Sequence, residues 1–407
     1  MRTRFLSLLT GTSLAVAALG HQATAQTQTA SLAPVETKEP NSPAYRPAFP
    51  GQTRIAGIKS ATPYEGKVLT EALKSPWGIT SLPDGRLLVT EKEGTMRIVT
   101  TAGKVGEAIT GIPKVNPSGQ GGLLGIRVDP AFDKNRMVYW VFSEPSADGN
   151  LTAVAKGKLS ADETKIEGAT VIYRATPAYK GNLHYGGRVL VTNDGNLLIS
   201  TGERSDKVTR PQAQSLNSGL GKVIRITKEG KPASGNPFAG QAGVRPELYS
   251  YGHRNVQSLA IDPVTGDLWE AEFGPRGGDE LNHIQPGKNY GWPTITYGIE
   301  YSGEKVGEGI QQKEGLEQPT YYWDPVVSPS GMTFYTGDAI PEWKNNLFIG
   351  SLSGMHIARL VIKDGKVVGE ERLLANDYQR FRDVTQGKDG ALYAITDQGR
   401  LYRVFKK

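Results

Sequence analysis

Trp77-Gly78-Ile79, then Pro83-Asp84-Gly85, then Leu87-Leu88-Val89 spell an apolar strand, a tight turn and a second apolar strand. An Asp-Gly pair between two apolar runs is a strong short-range hairpin signal, because glycine tolerates the positive φ the turn demands. The same phrase returns five more times in altered spelling. It reads Gly122-Leu123-Leu124-Gly125-Ile126, Asp129-Pro130, Met137-Val138-Tyr139-Trp140, and then Gly187-Arg188-Val189-Leu190, Asn193-Asp194-Gly195, Leu197-Leu198-Ile199. The fourth copy runs from Ser258-Leu259-Ala260-Ile261 through Asp262 and Asp267 to Leu268-Trp269. The fifth joins Gly331-Met332-Thr333-Phe334 to Leu347-Phe348-Ile349, and the last joins Arg382-Asp383-Val384 through Lys388-Asp389-Gly390 to Leu392-Tyr393-Ala394.

Copies spaced by roughly 45 to 80 residues are propeller-blade units with insertions. Six of them predict an all-β fold, a six-bladed β-propeller with four-stranded antiparallel blades, whose radial closure leaves only short edges. The segments Lys67 to Leu73 and Arg400 to Phe405 are the natural partners for closing the ring. Helical periodicity is nearly absent, which disfavours a parallel α/β fold; a pair of β-sandwiches is the structural alternative.

Composition agrees with this reading. The chain has 407 residues, 50 glycines, 25 prolines and no cysteine. Glycine is thus about one residue in eight against an average of roughly 7%, as expected for a turn-rich fold. Without cysteine there is no disulfide framework, thiolate metal site or thiol nucleophile. Arg2 and Arg4, the apolar run Phe5 to Leu19 and Ala23-Thr24-Ala25 form a secretory signal over residues 1–25, cut after Ala25, which implies a periplasmic or secreted protein. Cleavage removes two of the six net positive charges and leaves +4, too few to suggest a nucleic-acid partner. Beyond the leader no stretch is apolar enough to be an integral membrane segment. Residues 26–55 carry five prolines, Pro34 to Pro50, and read as an extended, poorly ordered linker. The propeller is then residues 56–407.

Several polar residues precede the first strand of a repeat, where a propeller's central mouth forms. His184 suits a general base, since imidazole exchanges a proton near neutral pH; a lone histidine is more often a structural one. Arg254-Asn255 and the pair Arg380 and Arg382 stand at the same phase of other repeats, ready for a ligand bearing carboxylates or polarised carbonyls, or else paired with acids such as Asp383. Gln120 holds the matching place in the second repeat. The chain departs from the repeat between Phe273 and Tyr322, and the stretch Glu272 to Glu280 sets glycine-relaxed backbone beside two carboxylates, an oxygen-only donor set that suits calcium over zinc or copper. His253 beside Arg254 is either a second base or structural, and His283 and His356 read as structural or surface.

In combination, Gly119 to Gly125, His184 to Arg188, Tyr251 to Asn255, Gly274 to Glu280, Asn289 to Pro293 and Arg380 to Asp383 resemble the motifs of the soluble PQQ-dependent aldose sugar dehydrogenases, within the glucose/sorbosone dehydrogenase family. The resemblance spans Pro63 to Phe405. It implies a propeller binding pyrroloquinoline quinone (PQQ) and Ca2+, which oxidises an aldose substrate and passes electrons to an unidentified acceptor. By the resemblance, His184 is the base and Arg254 stands beside the reactive quinone carbonyl. Gln120, Asn255, Tyr301, Arg380 and Arg382 contact the cofactor. Gly274 and Pro275 hold the active-site calcium through their carbonyls, and Glu280 and Tyr290 hold a second, structural calcium. Three positions depart from the family: Ser353 stands in place of a lysine, Phe273 in place of glutamine or histidine, and Leu183 precedes His184 where an acidic or amide side chain is usual. A non-catalytic propeller binding sugar or protein, and a calcium-dependent lactonase, are the alternatives.

Overall fold

The computed structural model describes Met1 and residues 32–407; the signal-peptide reading falls outside the described residues. Six antiparallel sheets are arranged in a ring. Every repeated phrase read from the sequence supplies the two innermost strands of one blade: Pro76–Ser81 with Leu87–Glu91, Leu123–Val128 with Met137–Ser146, Val189–Val191 with Leu197–Ser200, Val256–Ile261 with Leu268–Glu272, Pro329–Phe334 with Leu347–Ser351, and Phe381–Gln386 with Leu392–Thr396.

The turns form as their chemistry dictates. In blades one, three and six the turn glycines Gly85, Gly195 and Gly390 have φ of +93°, +81° and +76°. In each case the preceding aspartate accepts an N–H from two residues further on, as in Arg86 N–H to Asp84 Oδ1 at 2.9 Å, the side-chain turn that aspartate favours.

Blades two to six have four strands, and blade one has three. Its fourth place is taken by residues 105–109, which touch Thr95–Val99 through two isolated bridges, Val99 with Val105 and Met96 with Ile109. Ring closure is by strand exchange between the ends of the chain: Tyr64–Thr70 pairs with Leu401–Lys406 as the outer strand of blade six.

Each of the six blade interfaces buries its own apolar cluster. Leu88 and Met96 pack with Trp140 and Phe142 between blades one and two, and Ile79 and Val89 with Tyr393 and Ile395 between blades one and six. No blade could bury both faces alone, so the ring is the smallest unit with a closed core. The inner strands approach closely. Gly125 N–H donates to Gly187 O at 2.9 Å across blades two and three, and a Cβ on Gly125 would lie 2.3 Å from that oxygen. Gly125→Ala therefore forces the inner strands apart. We expect a loss of about 1–3 kcal/mol, the range for overpacking, seen as a lowered apparent Tm at fixed scan rate.

The proline-rich segment is more tightly held than an unattached linker. It has almost no regular structure, yet Asn41 and Ser42 N–H donate to Asp324 at 2.6 and 3.0 Å, Gln52 Nε2 to Pro319 O at 2.9 Å, and Arg54 to Asp324 O at 2.9 Å. Prolines lower the entropy lost on docking an extended chain, so sparse polar contacts suffice.

No helix among the described residues is long and apolar enough to cross a membrane.

Candidate active site

All inner strands run away from the same end of the bore, so the residues just before them converge there. A cavity of about 470 Å³ opens at this mouth, lined by Trp77, Gln120, Gln257, Phe273, Tyr301, Arg380 and Arg382 among others. Four of the sequence-derived candidates, Gln120, Tyr301, Arg380 and Arg382, therefore line one cavity. His184, Arg254 and Asn255 are buried beside it, His184 directly preceding the lining residues Tyr185 and Gly186.

His184 is 4% exposed, and its backbone is held in the left-handed region at φ +48°, a costly conformation for a residue with a Cβ. Its N–H donates to Gln120 Oε1 at 2.9 Å. Nδ1 lies 2.6 Å from Glu203 Oε1. A carboxylate only accepts, so Nδ1 carries the proton in the neutral ring and Nε2 is left bare. Burial, and then the positive charge of Arg254, push the imidazole down to about 4 against the upward pull of Glu203. The ring is a neutral proton acceptor over the physiological range. Leu183 suggested a base without a polar partner on that side; the partner comes instead from Glu203, at the end of the second strand of the same blade.

Arg254 Nη1 donates to Phe273 O at 3.0 Å and Gly274 O at 2.7 Å, and its guanidinium lies over Trp292 at 5.1 Å. Its Nε and the Nδ2 of Asn255 are buried without a protein partner. Orphaned buried donors are rare and costly; two of them beside a cavity suit a ligand rich in acceptor atoms.

Arg380 and Arg382 do not pair with Asp383. Both grip Asp397, at 2.9 and 2.8 Å, and hold its carboxyl below the usual range although burial opposes this. Asp383 instead pairs with Arg188 at 2.6 Å. Lys92 also lines the cavity, its ammonium on Gly119 O at 2.6 Å. Two arginines and a lysine against one aspartate leave the cavity cationic. Ser353 bonds Ser328, a lining residue, at 2.8 Å.

The structure separates the proposed calcium positions. Gly274 O already accepts from Arg254, so a cation there shares the oxygen with a guanidinium. No protein donor is recorded on Pro275 O. Glu280, by contrast, faces a buried polar cluster. Asn282 Nδ2 bridges Glu270 at 2.7 Å and Glu280 at 3.1 Å, while Glu270 Oε2 and Asn282 Oδ1 have no partner. Burial and Glu272 drive Glu280 far above the usual carboxylate range and Glu270 to about 7. His253 is the counter-charge: burial opposes its protonation, but hydrogen bonds to Glu270 and Glu272 prevail and hold it at about 9. His253 is fully buried with both ring nitrogens engaged, Nε2 by Ser250 Oγ at 2.8 Å and Nδ1 by Glu272 at 3.1 Å, which leaves neither free to act as a second base. Tyr290 stacks on it at 4.9 Å. The Tyr290 hydroxyl donates to His283 O at 2.7 Å and accepts from Gln285 N–H at 2.9 Å, so any metal contact by Tyr290 falls to its backbone carbonyl.

The residues missed by sequence reasoning, Glu203, Lys92 and Asp397, share one signal. They follow the second inner strand of a blade, which returns to the mouth, just as Glu91 and Glu272 end it in blades one and four.

Residues 73–403 match the family model described as Glucose / Sorbosone dehydrogenase. The chain is 40% identical over 343 residues to the aldose sugar dehydrogenase YliI of Escherichia coli strain K12, covering 83% of this chain and 92% of that protein. It superposes on the soluble aldose sugar dehydrogenase of Escherichia coli in the apo-form with a TM-score of 0.81 at 38% identity, over 85% of this chain and 100% of the other. For the PQQ-bound form of the aldose sugar dehydrogenase from Streptomyces coelicolor the values are 0.69 and 32%, over 85% and 99%.

Proposed function

Since the chain belongs to the glucose/sorbosone dehydrogenase family, we propose that it oxidises aldose sugars at the anomeric carbon to the lactone, with PQQ as electron acceptor and calcium as its activator. The observation that carries this reading is the buried His184–Glu203 pair beside a cationic cavity whose lining holds no redox side chain.

The residues fit the acidic, planar quinone. Arg380 and Arg382 supply fixed guanidinium forks for its acidic groups, Trp77, Phe273 and Tyr301 supply ring surface, and the Asn255 Nδ2 and Arg254 Nε donors are unspent. When bound, the quinone supplies the hydride acceptor that no side chain can be. His184 takes the proton of the anomeric hydroxyl at Nε2; Glu203, on Nδ1, stabilises the imidazolium that results. Arg254 stands ready to meet negative charge as it develops, the electrostatic contribution that usually dominates. Calcium fits best at Glu280 with Glu270 and Asn282, and at Gly274 and Pro275 it depends on oxygens from the bound quinone.

A lactonase would want several carboxylates and amides converging on one deep cation at the mouth; there arginines converge instead, and the Glu270–Glu280–Asn282 cluster does not line that cavity. With the leader, we place the enzyme in the periplasm or outside the cell, its electrons passing to a separate acceptor.

The test is dye-linked glucose oxidation by purified apoprotein, with and without PQQ and Ca2+. Activity should need both additions and fall by about 100-fold or more in His184→Ala, the lower end for losing a general base. No oxidation across a panel of aldoses, with no quinone-induced spectral or thermal shift, overturns the reading.

A further inference from the structure

Arg204 follows Glu203 directly, is 1% exposed and has no carboxylate partner among the described residues. Its guanidinium is shared between the loop that carries His184 and Asn150 of blade two. Nε donates to Leu183 O at 3.0 Å and Nη2 to Gly181 O at 2.6 Å. Nη1 and Nη2 donate to Asn150 O at 3.0 Å and Asn150 Oδ1 at 2.6 Å. The guanidinium also lies 4.0 Å over the Tyr185 ring, and the Tyr185 hydroxyl returns to Asn150 Oδ1 at 2.6 Å. Arg204 therefore holds the chain on both sides of His184, the residue whose φ is +48°, and is itself strained at φ +75°. Burying a guanidinium is expensive unless its donors are met; here they are met by backbone and amide oxygens that leave its charge uncompensated beside the imidazole.

We infer that Arg204 is the positioning residue of the catalytic base: it fixes the strained 181–185 loop in the conformation that orients His184. The inference rests on the reading of His184 as the base. The charged groups acting on the imidazole are Glu203 and Arg204 of blade three and Arg254 of blade four, while Gln120 of blade two holds the backbone N–H of His184. Of these, Arg254 and Arg204 disfavour its protonation and Glu203 favours it. Arg204 is itself absent from the cavity lining and reaches it only through Tyr185, which follows His184 and does line the cavity.

Two substitutions separate charge from shape. Arg204→Lys keeps the charge and loses the four-point grip, since an ammonium cannot reproduce the planar fork. Arg204→Met loses both. In the PQQ- and calcium-loaded enzyme both should lower kcat by about 10- to 100-fold, the scale of a slight misplacement of a reacting group, with sugar KM changed less than about threefold. In the apoprotein, NMR titration of the His184 imidazole, assigned by its loss in His184→Asn, should move upward from about 4 in Arg204→Met and stay in place in Arg204→Lys. A lowered Tm with unchanged titration and kcat in Arg204→Met means a merely structural arginine and overturns the inference. Should Arg204→Met not fold, wild-type kcat in Arg204→Lys overturns it. If His184→Ala remains active while Arg204→Met still shifts the imidazole, the base assignment falls and the electrostatic effect of Arg204 stands.

Discussion

Glu203→Gln should lower kcat by about 10²- to 10⁴-fold while leaving the fold and the affinity for PQQ nearly intact. The carboxylate at 2.6 Å from Nδ1 does two things for His184. It admits only the tautomer with the proton on Nδ1, and it stabilises the imidazolium formed when Nε2 takes a proton. Glutamine offers an NH2 as readily as a carbonyl, so the ring can turn to the other tautomer and present an N–H where a lone pair is needed. In hydrolytic triads the same exchange costs about 10⁴. The charge effect has a defined sign. Glu203 pulls the imidazole upward against burial and Arg254, so its loss should drive the titration of the apoprotein below about 4, opposite to Arg204→Met. Glu203 Oε2 otherwise accepts only the Ser205 N–H, at 3.2 Å, and glutamine can keep that bond. A kcat within threefold of wild type would remove Glu203 from the mechanism.

The repeat was legible because it is a local signal. Asp84-Gly85, Asp194-Gly195 and Asp389-Gly390 each fix a turn by their own chemistry, and the apolar triplets on either side need only a neighbouring blade. The candidates before the first strands were legible for the same reason, since a fixed phase in the repeat places each at one mouth. Pairing between side chains was harder to read. Asp383 sits next to Arg382 in sequence, yet strand geometry sends adjacent side chains to opposite faces. Arg382 therefore reaches Asp397 just past the end of the neighbouring strand, and Asp383 reaches into the bore. Glu203 lies 19 residues from His184 and meets it only because a hairpin returns the chain. Leu183 misled for a related reason: a base can be oriented from another strand as well as from the preceding residue. The docking of residues 32–55 was hidden because Gln52, Arg54 and Asp324 carry no periodic pattern; each bonds backbone atoms 267 to 283 residues away in sequence.

Arg188→Met and Asp383→Leu should each cost about 3–5 kcal/mol, the penalty for leaving one partner of a buried ion pair uncompensated. Arg188 belongs to blade three and Asp383 to blade six, facing each other across the bore, with the two side chains 8% and 9% exposed and 2.6 Å apart. Around this pair the ring is tied through its centre: Arg188 Nε donates to Gln257 O of blade four at 2.6 Å, Nη2 to Arg382 O at 3.1 Å, and Ile79 N–H of blade one donates to Asp383 at 3.0 Å. Arg188 also stacks over Trp77 at 4.2 Å, directly beneath the cavity. At about 2.1 cal/mol/K of unfolding entropy per residue, the loss corresponds to roughly 4–6 °C in apparent Tm at fixed scan rate for a body of this size. The double variant discriminates between explanations. If the single losses arise from stranded charge, Arg188→Met with Asp383→Leu should recover a large part of either loss, because apolar replacement of both partners is often neutral or better. If the two losses simply add, the cost lies in packing against Trp77 and Gln257. PQQ binding should weaken even in the recovered double variant, because Arg188 lies over Trp77, a residue that lines the cavity; unchanged affinity there would confine the pair to holding the ring.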